Sequence, residues 1–412
     1  MKPDAYAALR IPDYRRFLGM RLLTTLAIQI MSVSVGYLIY ELTNSKLMLG
    51  YIGLAEAVPA VSASLFAGHF IDKYNRRNIL LACLSILVLS TVTLFLLVYQ
   101  KDQLSTAFLI TGIFSVIVVT GINRAFYSPT NFALLHQLVG KENLSNAIAW
   151  NSSTWEIASI TGLGLGGLLY GFAGVQWAFG AMVILMLGGL MLAIFIKPLP
   201  QTSVDEQEPM LSRIKEGLHF VFTSKMLLPA LALDLFAVLF GGAVAMLPVY
   251  AKDILQVGPE GLGILRASMS VGAILMAFII AHRPLGKGAG RLMLLSVAAF
   301  GICIILFGIS TSFWLSFICL FFAGVFDAIS VNLRSSLVQL QTPDHMKGRV
   351  MSVNSIFITS SNEIGAFESG LAASMMGTVP SVIFGGCMTL LIVGITWWKA
   401  PALREYDLTS NN

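Results

Sequence analysis

The chain has 412 residues, 56% of them hydrophobic and 11% charged, with a formal net charge of +5. A soluble domain carries about 25% charged residues, so this composition excludes an ordinary water-soluble enzyme and points to a chain embedded in a bilayer. The pI near 9 raises the question of a nucleic-acid partner, which the placement of the basic residues answers below.

The N-terminus, Met1–Arg16, is polar, and the first uncharged run, Leu22–Tyr40, is too long for the core of a secretory signal, so no cleavable signal peptide is expected. Further uncharged runs at Asn78–Gln100 and Leu104–Asn123 match the ~20 residues that cross a hydrocarbon layer. Ile157–Ile196 and Leu292–Phe326 are each long enough for most of one span, a tight turn and a second span. In chain order the pattern predicts twelve spans: 17–40, 47–71, 78–99, 104–127, 145–171, 174–196, 226–251, 261–281, 291–310, 312–338, 349–374 and 378–398. The expected fold is therefore an all-α integral membrane protein. Its predicted parts are a six-helix half at 1–196, a connector at 197–225 and a second six-helix half at 226–412.

The connector begins with a polar stretch containing three prolines and three acids. It continues as Met210–Phe222, whose apolar spacing predicts a helix lying along the membrane surface. With both termini and the connector on the cytoplasmic side, nineteen Lys and Arg residues fall in cytoplasmic segments and three (Lys46, Lys101, Lys252) in external loops. That asymmetry fits the positive-inside rule and accounts for the basic pI without nucleic acid. A local repeat supports two related halves. Leu135-His136-Gln137-Leu138 recurs as Leu337-Val338-Gln339-Leu340, and Leu144 is matched by Met346, at a constant offset of 202.

Charges inside the spans are the sharpest functional signal. Glu56, Glu156, Asp234, Asp327, Glu363 and Glu368, with Arg124, Arg266 and Arg334, lie in otherwise apolar segments. Such a charge costs roughly 2.5–3.5 kcal/mol at the helix centre on insertion scales, and it persists when paired or when it faces water. By depth, Asp234 and Arg334 could pair in the inner part of the second half, whereas Glu56 and Arg266 lie toward the outer face with their charged ends reaching outward. The four cysteines fall inside spans without paired spacing and read as packing residues. The five histidines form no compact metal pattern, and no Walker A sequence or nucleophile elbow is present. No cofactor, metal or catalytic residue is expected.

After the second span stands Gly68-His69-Phe70-Ile71-Asp72-Lys73-Tyr74-Asn75-Arg76-Arg77. It resembles the loop motif of the major facilitator superfamily, with Asn75 where the family has a second glycine and a left-handed backbone is expected. The resemblance implies a gating latch formed by Gly68, Asp72, Arg76 and Arg77, with Arg124 matched to it in depth. In the second half the corresponding loop, His282–Lys287, lacks the acid. In the fifth span Gly162-Leu163-Gly164-Leu165-Gly166-Gly167 resembles the glycine signature of the superfamily's antiporters, with Leu163 in place of proline; Gly162, Gly166 and Gly167 also fit plain close packing. The stretches Glu216–Phe220, Leu247–Gly258, Gly261–Ala267 and Thr342–Val350 are similar to a bacterial exporter branch that includes the enterobactin exporter and macrolide efflux pumps.

The resemblance implies a central cavity bordered by the tenth and eleventh helices, which carry Asp327 and Glu363 at mid-membrane depth. A carboxyl group there could exchange between protonated and ionised forms as its surroundings change between dry and wet. Glu363, Asp327 and Glu156 are thus the candidate proton-coupling and substrate residues, and Gln29, Trp155 and Asn354 the candidate cavity-lining ones. The reading is a monomeric, multi-pass transporter of a bacterial inner membrane with both termini cytoplasmic. It exports an amphipathic small molecule, drug-like or siderophore, by proton antiport; its partners are substrate, protons and lipid. Two readings stand beside it: uptake or flipping of a metabolite or lysolipid by symport or facilitated diffusion, and a ligand sensor that does not transport.

Overall fold

The computed structural model describes residues 6–198, 210–282, 288–343 and 346–407. Regular structure among them is entirely helical. In the first half, span 1 is Pro12–Thr43, span 2 Lys46–Lys73, span 3 Arg76–Tyr99, span 4 Thr106–Gly140, span 5 Glu142–Ala173 and span 6 Val175–Ile194. The connector helix Met210–Thr223 follows. In the second half, span 7 is Leu227–Ile254, span 8 Gly258–His282, span 9 Ala289–Ile309, span 10 Phe313–Gln341, span 11 Lys347–Met376 and span 12 Thr378–Lys399. Span 1 has 32 residues, about 48 Å at 1.5 Å per residue, against ~30 Å of hydrocarbon. Among the described residues eleven helices are long and apolar enough to cross a membrane, and span 11, with 30 residues, is the twelfth of spanning length.

Helix ends follow local chemistry. The Ser105 side chain accepts from the Phe108 N–H at the start of span 4. Gly140 has φ +66° and separates spans 4 and 5. Gly174 (φ 95°, ψ 161°) opens span 6, and Gly377 (φ 96°, ψ 160°) opens span 12. Only glycine adopts that backbone freely. The two stand at equivalent places in the two halves, so the six-helix repeat is visible in the backbone itself. Packing repeats as well. Span 1 packs on the span 4–span 5 stretch and on span 6, and span 3 does the same; span 7 packs on spans 11 and 12, and span 9 on spans 10 and 12.

The chain forms two compact units. The first comprises 1–43, 55–206 and 258–263, the second 44–54, 207–257 and 264–412. Tyr14, Phe17, Met20, Leu80, Leu84 and Leu134 are fully buried in the first unit's core. Leu227, Leu231, Leu294, Val350 and Leu403 hold the same place in the second. Leu135 and Leu337, one from each copy of the sequence repeat, are both buried in these cores. In lipid the hydrophobic effect does not drive one helix onto another, so small residues that let backbones approach carry much of the association.

Two expectations are corrected by this backbone. Asn75 is extended (φ −62°, ψ 120°), and its side chain accepts from the Arg77 N–H at 3.0 Å. It caps span 3, a task that asparagine's short acceptor performs well, and needs no left-handed conformation. Span 7 is not continuous: Leu227–Phe240 ends at Gly241–Gly242, and a new helix starts at Ala243. Connector residues 199–209 and most of the second-half loop His282–Lys287 lie outside the described residues.

Candidate functional site: charges and a broken helix within the spans

In the first unit Gly121 on span 4 lies against the backbone of Glu56 on span 2. A Cβ there would collide with the Glu56 carbonyl oxygen. One turn along span 4, the Arg124 guanidinium donates from Nη1 to Glu56 Oε1 at 2.8 Å. Glu56 stands ten residues into a helix that starts at Lys46, about 15 Å deep by helix rise. Its charge is therefore paired within the membrane, where the sequence suggested an outward-reaching end. The two side chains are 33% and 46% exposed. Exposure of a charged pair at that depth is tolerable where the exposed side meets water, so the pair marks a wet face of the unit.

Span 1 supplies a polar stripe to the same unit. The Thr24 and Tyr127 hydroxyls share a hydrogen bond of 2.9 Å, and Asn131 Nδ2 donates to the Tyr127 carbonyl. Asn123, Thr130 and Asn131 are nearly fully buried, yet Oδ1 of each asparagine and Oγ1 of Thr130 find no hydrogen-bond partner among the described residues. Buried groups of this kind ordinarily bond to water or ligand. Arg21, also on span 1, has a buried Nε in the same condition; in the sequence it stands one residue before the uncharged run and so resembles a flanking charge.

The remaining first-half candidates distribute as follows. Glu156 is half-buried and makes no hydrogen bond or ion pair among the described residues, and Trp155 is 46% exposed. Gln29 is half-buried, with its Cβ 2.8 Å from where a Cβ on Gly162 would stand; Gly166 meets Ile30 and Val33 in the same way. The fifth-span glycines thus let span 5 press on span 1, and Gly167 lies against Pro259 and Gly263 of the 258–263 segment. Arg77 donates to the carbonyls of Ile196 (2.5 Å) and Ile194 (2.7 Å), capping the end of span 6. Gly68 and the side chain of Asp72 lie outside the described residues, so the latch remains a proposal.

The second unit centres on the break in span 7. The carbonyls of Val238 and Leu239, near the end of the broken helix, lie 3.0 and 2.9 Å from the Cβ position of Gly365 on span 11, and that of Phe240 faces Gly385 on span 12. On the far side of the break Gly242 abuts Ser369 and Gly365. The unwound turn therefore sits against the stretch of span 11 between Glu363 and Glu368. Irregular backbone at membrane depth survives only where protein buries it or a wet cavity accepts it. Gly53 approaches the Glu363 carbonyl, and Gly50 packs on Phe367 and Gly370, fixing the height of Glu363 from the other side. Asn354, earlier on span 11, is 8% exposed, with an Oδ1 that has no partner among the described residues.

Two charges of this unit are now resolved. Asp234 on span 7 and Arg334 on span 10 form an ion pair with side chains 12% and 4% exposed, matching the pairing suggested by depth. Asp327, two turns before Arg334 on span 10, is half-buried and makes no ion pair or hydrogen bond among the described residues. A carboxylate spared from fixed pairing at mid-span is chemically available.

A helical chain of twelve spans in two six-helix repeats, with intramembrane charges and a broken helix, defines a transporter of the major facilitator type. The chain belongs to the transmembrane secretion effector family, which it matches over residues 4–412. It is 26% identical over 393 residues to the enterobactin exporter EntS of Shigella boydii serotype 4, covering 93% of this chain and 90% of that one. Its fold is shared with a D-xylose-proton symporter at a TM-score of 0.72 and 13% identity, covering 97% of this chain and 100% of that one. A bacterial homologue of the iron transporter ferroportin in an inward-facing state gives a TM-score of 0.70 at 16% identity, covering 97% and 99%. The protein is thus a multi-pass membrane transporter.

Proposed function

We propose that the protein exports an amphipathic small molecule, drug-like or siderophore-like, by proton antiport with alternating access. The observation that carries this reading is the contrast among the intramembrane acids. Asp234 is locked to Arg334, whereas Asp327 is left without a fixed partner among the described residues and Glu363 stands beside the break in span 7. A coupling acid must be ionised in one gating state and neutral in another; a permanent salt bridge works against that exchange, and a place beside irregular backbone, where a small shift of the helix changes the surroundings, favours it. Export is favoured by the family, described as secretion effectors, and by the similarity to an enterobactin exporter. The fold itself does not set direction, since a symporter shares it.

On this reading Asp327 and Glu363 carry the proton and contact substrate, with Glu156 as the first-half counterpart. Asn354, Gln29 and Trp155 line the substrate path. The chain sits in the bacterial inner membrane with its termini and connector in the cytoplasm. Inside-out vesicles test the proposal: uptake of a panel of drugs, siderophores and lysolipids is measured with and without an imposed proton gradient. Gradient-dependent accumulation of an amphipathic substrate is expected. Accumulation that ignores the gradient, or that runs only in right-side-out vesicles, contradicts it.

A further inference from the structure

The connector helix Met210–Thr223 is docked at the ends of two spans. It precedes span 7 by three residues, and Gly217 lets it press onto the start of span 11, where a Cβ would meet the Arg349 carbonyl at 2.8 Å and Val353 at 3.1 Å. Val221, one turn on, is fully buried in the second unit's core. Arg349, two residues into span 11, ion-pairs with Glu216 and clamps the helix in place. The helix therefore lies at a membrane boundary and is part of the second unit.

Beside the clamp a cavity of about 380 Å³ opens, lined by Lys215, Glu216, His219, Phe220, Thr223 and Met346. Its walls are chiefly apolar and its rim is charged. Glu216 is neutralised by Arg349. Lys215 and His219, one turn apart on the exposed face, have no side-chain partner among the described residues. The rim thus presents cationic capacity over an apolar slot, and Phe222 beside it is 58% exposed. We propose that this cavity binds an anionic phospholipid of the adjoining leaflet, with the phosphate against Lys215 and His219 and the upper acyl chain along Phe220 and Met346. A basic rim over an apolar slot at the end of two spans complements that amphiphile in both charge and polarity, and basic residues at such a surface are attracted to anionic lipid.

The test uses the full chain in nanodiscs of phosphatidylcholine mixed with phosphatidylglycerol, with retained lipid counted by native mass spectrometry. One basic residue at an anionic surface is worth ~1 kcal/mol, about fivefold in affinity. K215Q should lower the phosphatidylglycerol preference about fivefold, and K215Q/H219Q should lower it further. Lys225→Gln, an exposed cation beyond the cavity lining, should leave it unchanged. An equal loss in Lys225→Gln means diffuse charge attraction and overturns the site. Full displacement of lipid by millimolar inorganic phosphate means a soluble anion site and overturns the lipid assignment. Equal retention by wild type and the double variant also overturns it, and a matching thermal transition in that variant excludes misfolding as the cause of any loss.

Discussion

Neutralising Asp234 or Arg334 one at a time should be far more damaging than neutralising both. The pair joins span 7 to span 10 with side chains 12% and 4% exposed, so a single Asp234→Asn leaves a guanidinium with little access to water. Breaking a buried pair in this way costs about 3–5 kcal/mol, most of it the uncompensated charge, whereas replacing both partners by neutral groups of similar shape is often nearly neutral. The double variant D234N/R334Q should therefore be markedly more stable than either single variant. The coupling energy across the cycle should be at least ~2 kcal/mol in magnitude. The chain supplies its own probe, because Cys83, Cys303 and Cys319 are buried thiols that a thiol-reactive fluorophore reaches only on unfolding. Cys387 is exposed and is replaced by Ala to remove its background. Unfolding curves in detergent then give the four corners. Additive losses in the double variant would refute the reasoning, since they would mean that each charge is solvated on its own.

Three further outcomes follow from the same geometry. Glu56→Gln or Arg124→Gln should impair transport while costing only about 1 kcal/mol or less of stability, because the pair is one-third to one-half exposed and solvent discounts it; transport rates beside the thiol assay check both halves of that statement, and a large stability loss contradicts the wet-face assignment. Asp72→Asn should leave the protein inserted but slow turnover more than it weakens substrate binding, as expected of a gating latch; equal turnover of wild type and variant in proteoliposomes removes the latch. A reporter fused after residue 412, or within 197–225, should be active only when it is a cytoplasmic reporter; periplasmic activity from either fusion reverses the proposed orientation.

The spans were legible in the sequence because a bilayer imposes one length and one polarity on every crossing helix. The apolar pattern predicts span 6 at 174–196, and the helix is Val175–Ile194; it predicts span 12 at 378–398, and the helix is Thr378–Lys399. The connector helix was legible from its apolar spacing. What the sequence hid was adjacency. Nothing in spans 2 and 4 read separately says that Gly121 brings Glu56 within reach of Arg124, so depth alone sends the Glu56 charge outward, where the structure pairs it. The break in span 7 did leave a signal, the Gly241–Gly242 pair in mid-span, but two small residues within an apolar run also fit close packing, and only the neighbouring Gly365 and Gly385 distinguish the two. Asn75 shows the reverse case. An asparagine directly before a helix is an N-cap by its own chemistry, and the family motif drew attention away from that simpler role.

The central claim is that protons are exchanged for substrate at Asp327 of span 10 and Glu363 of span 11. The most direct measurement is substrate-induced proton release from purified protein in weakly buffered detergent, followed with a pH indicator, using a substrate identified by the vesicle panel. A coupling acid that gives up its proton when substrate binds yields a stoichiometric acidification. One proton driven by 100 mV supplies about 2.3 kcal/mol, close to a 50-fold concentration ratio, so even one per substrate sustains useful export. The account predicts release by wild type, its loss or reduction in Glu363→Gln and Asp327→Asn, and an unchanged signal in D234N/R334Q. Full release from both Glu363→Gln and Asp327→Asn, with undiminished gradient-driven transport, would contradict it.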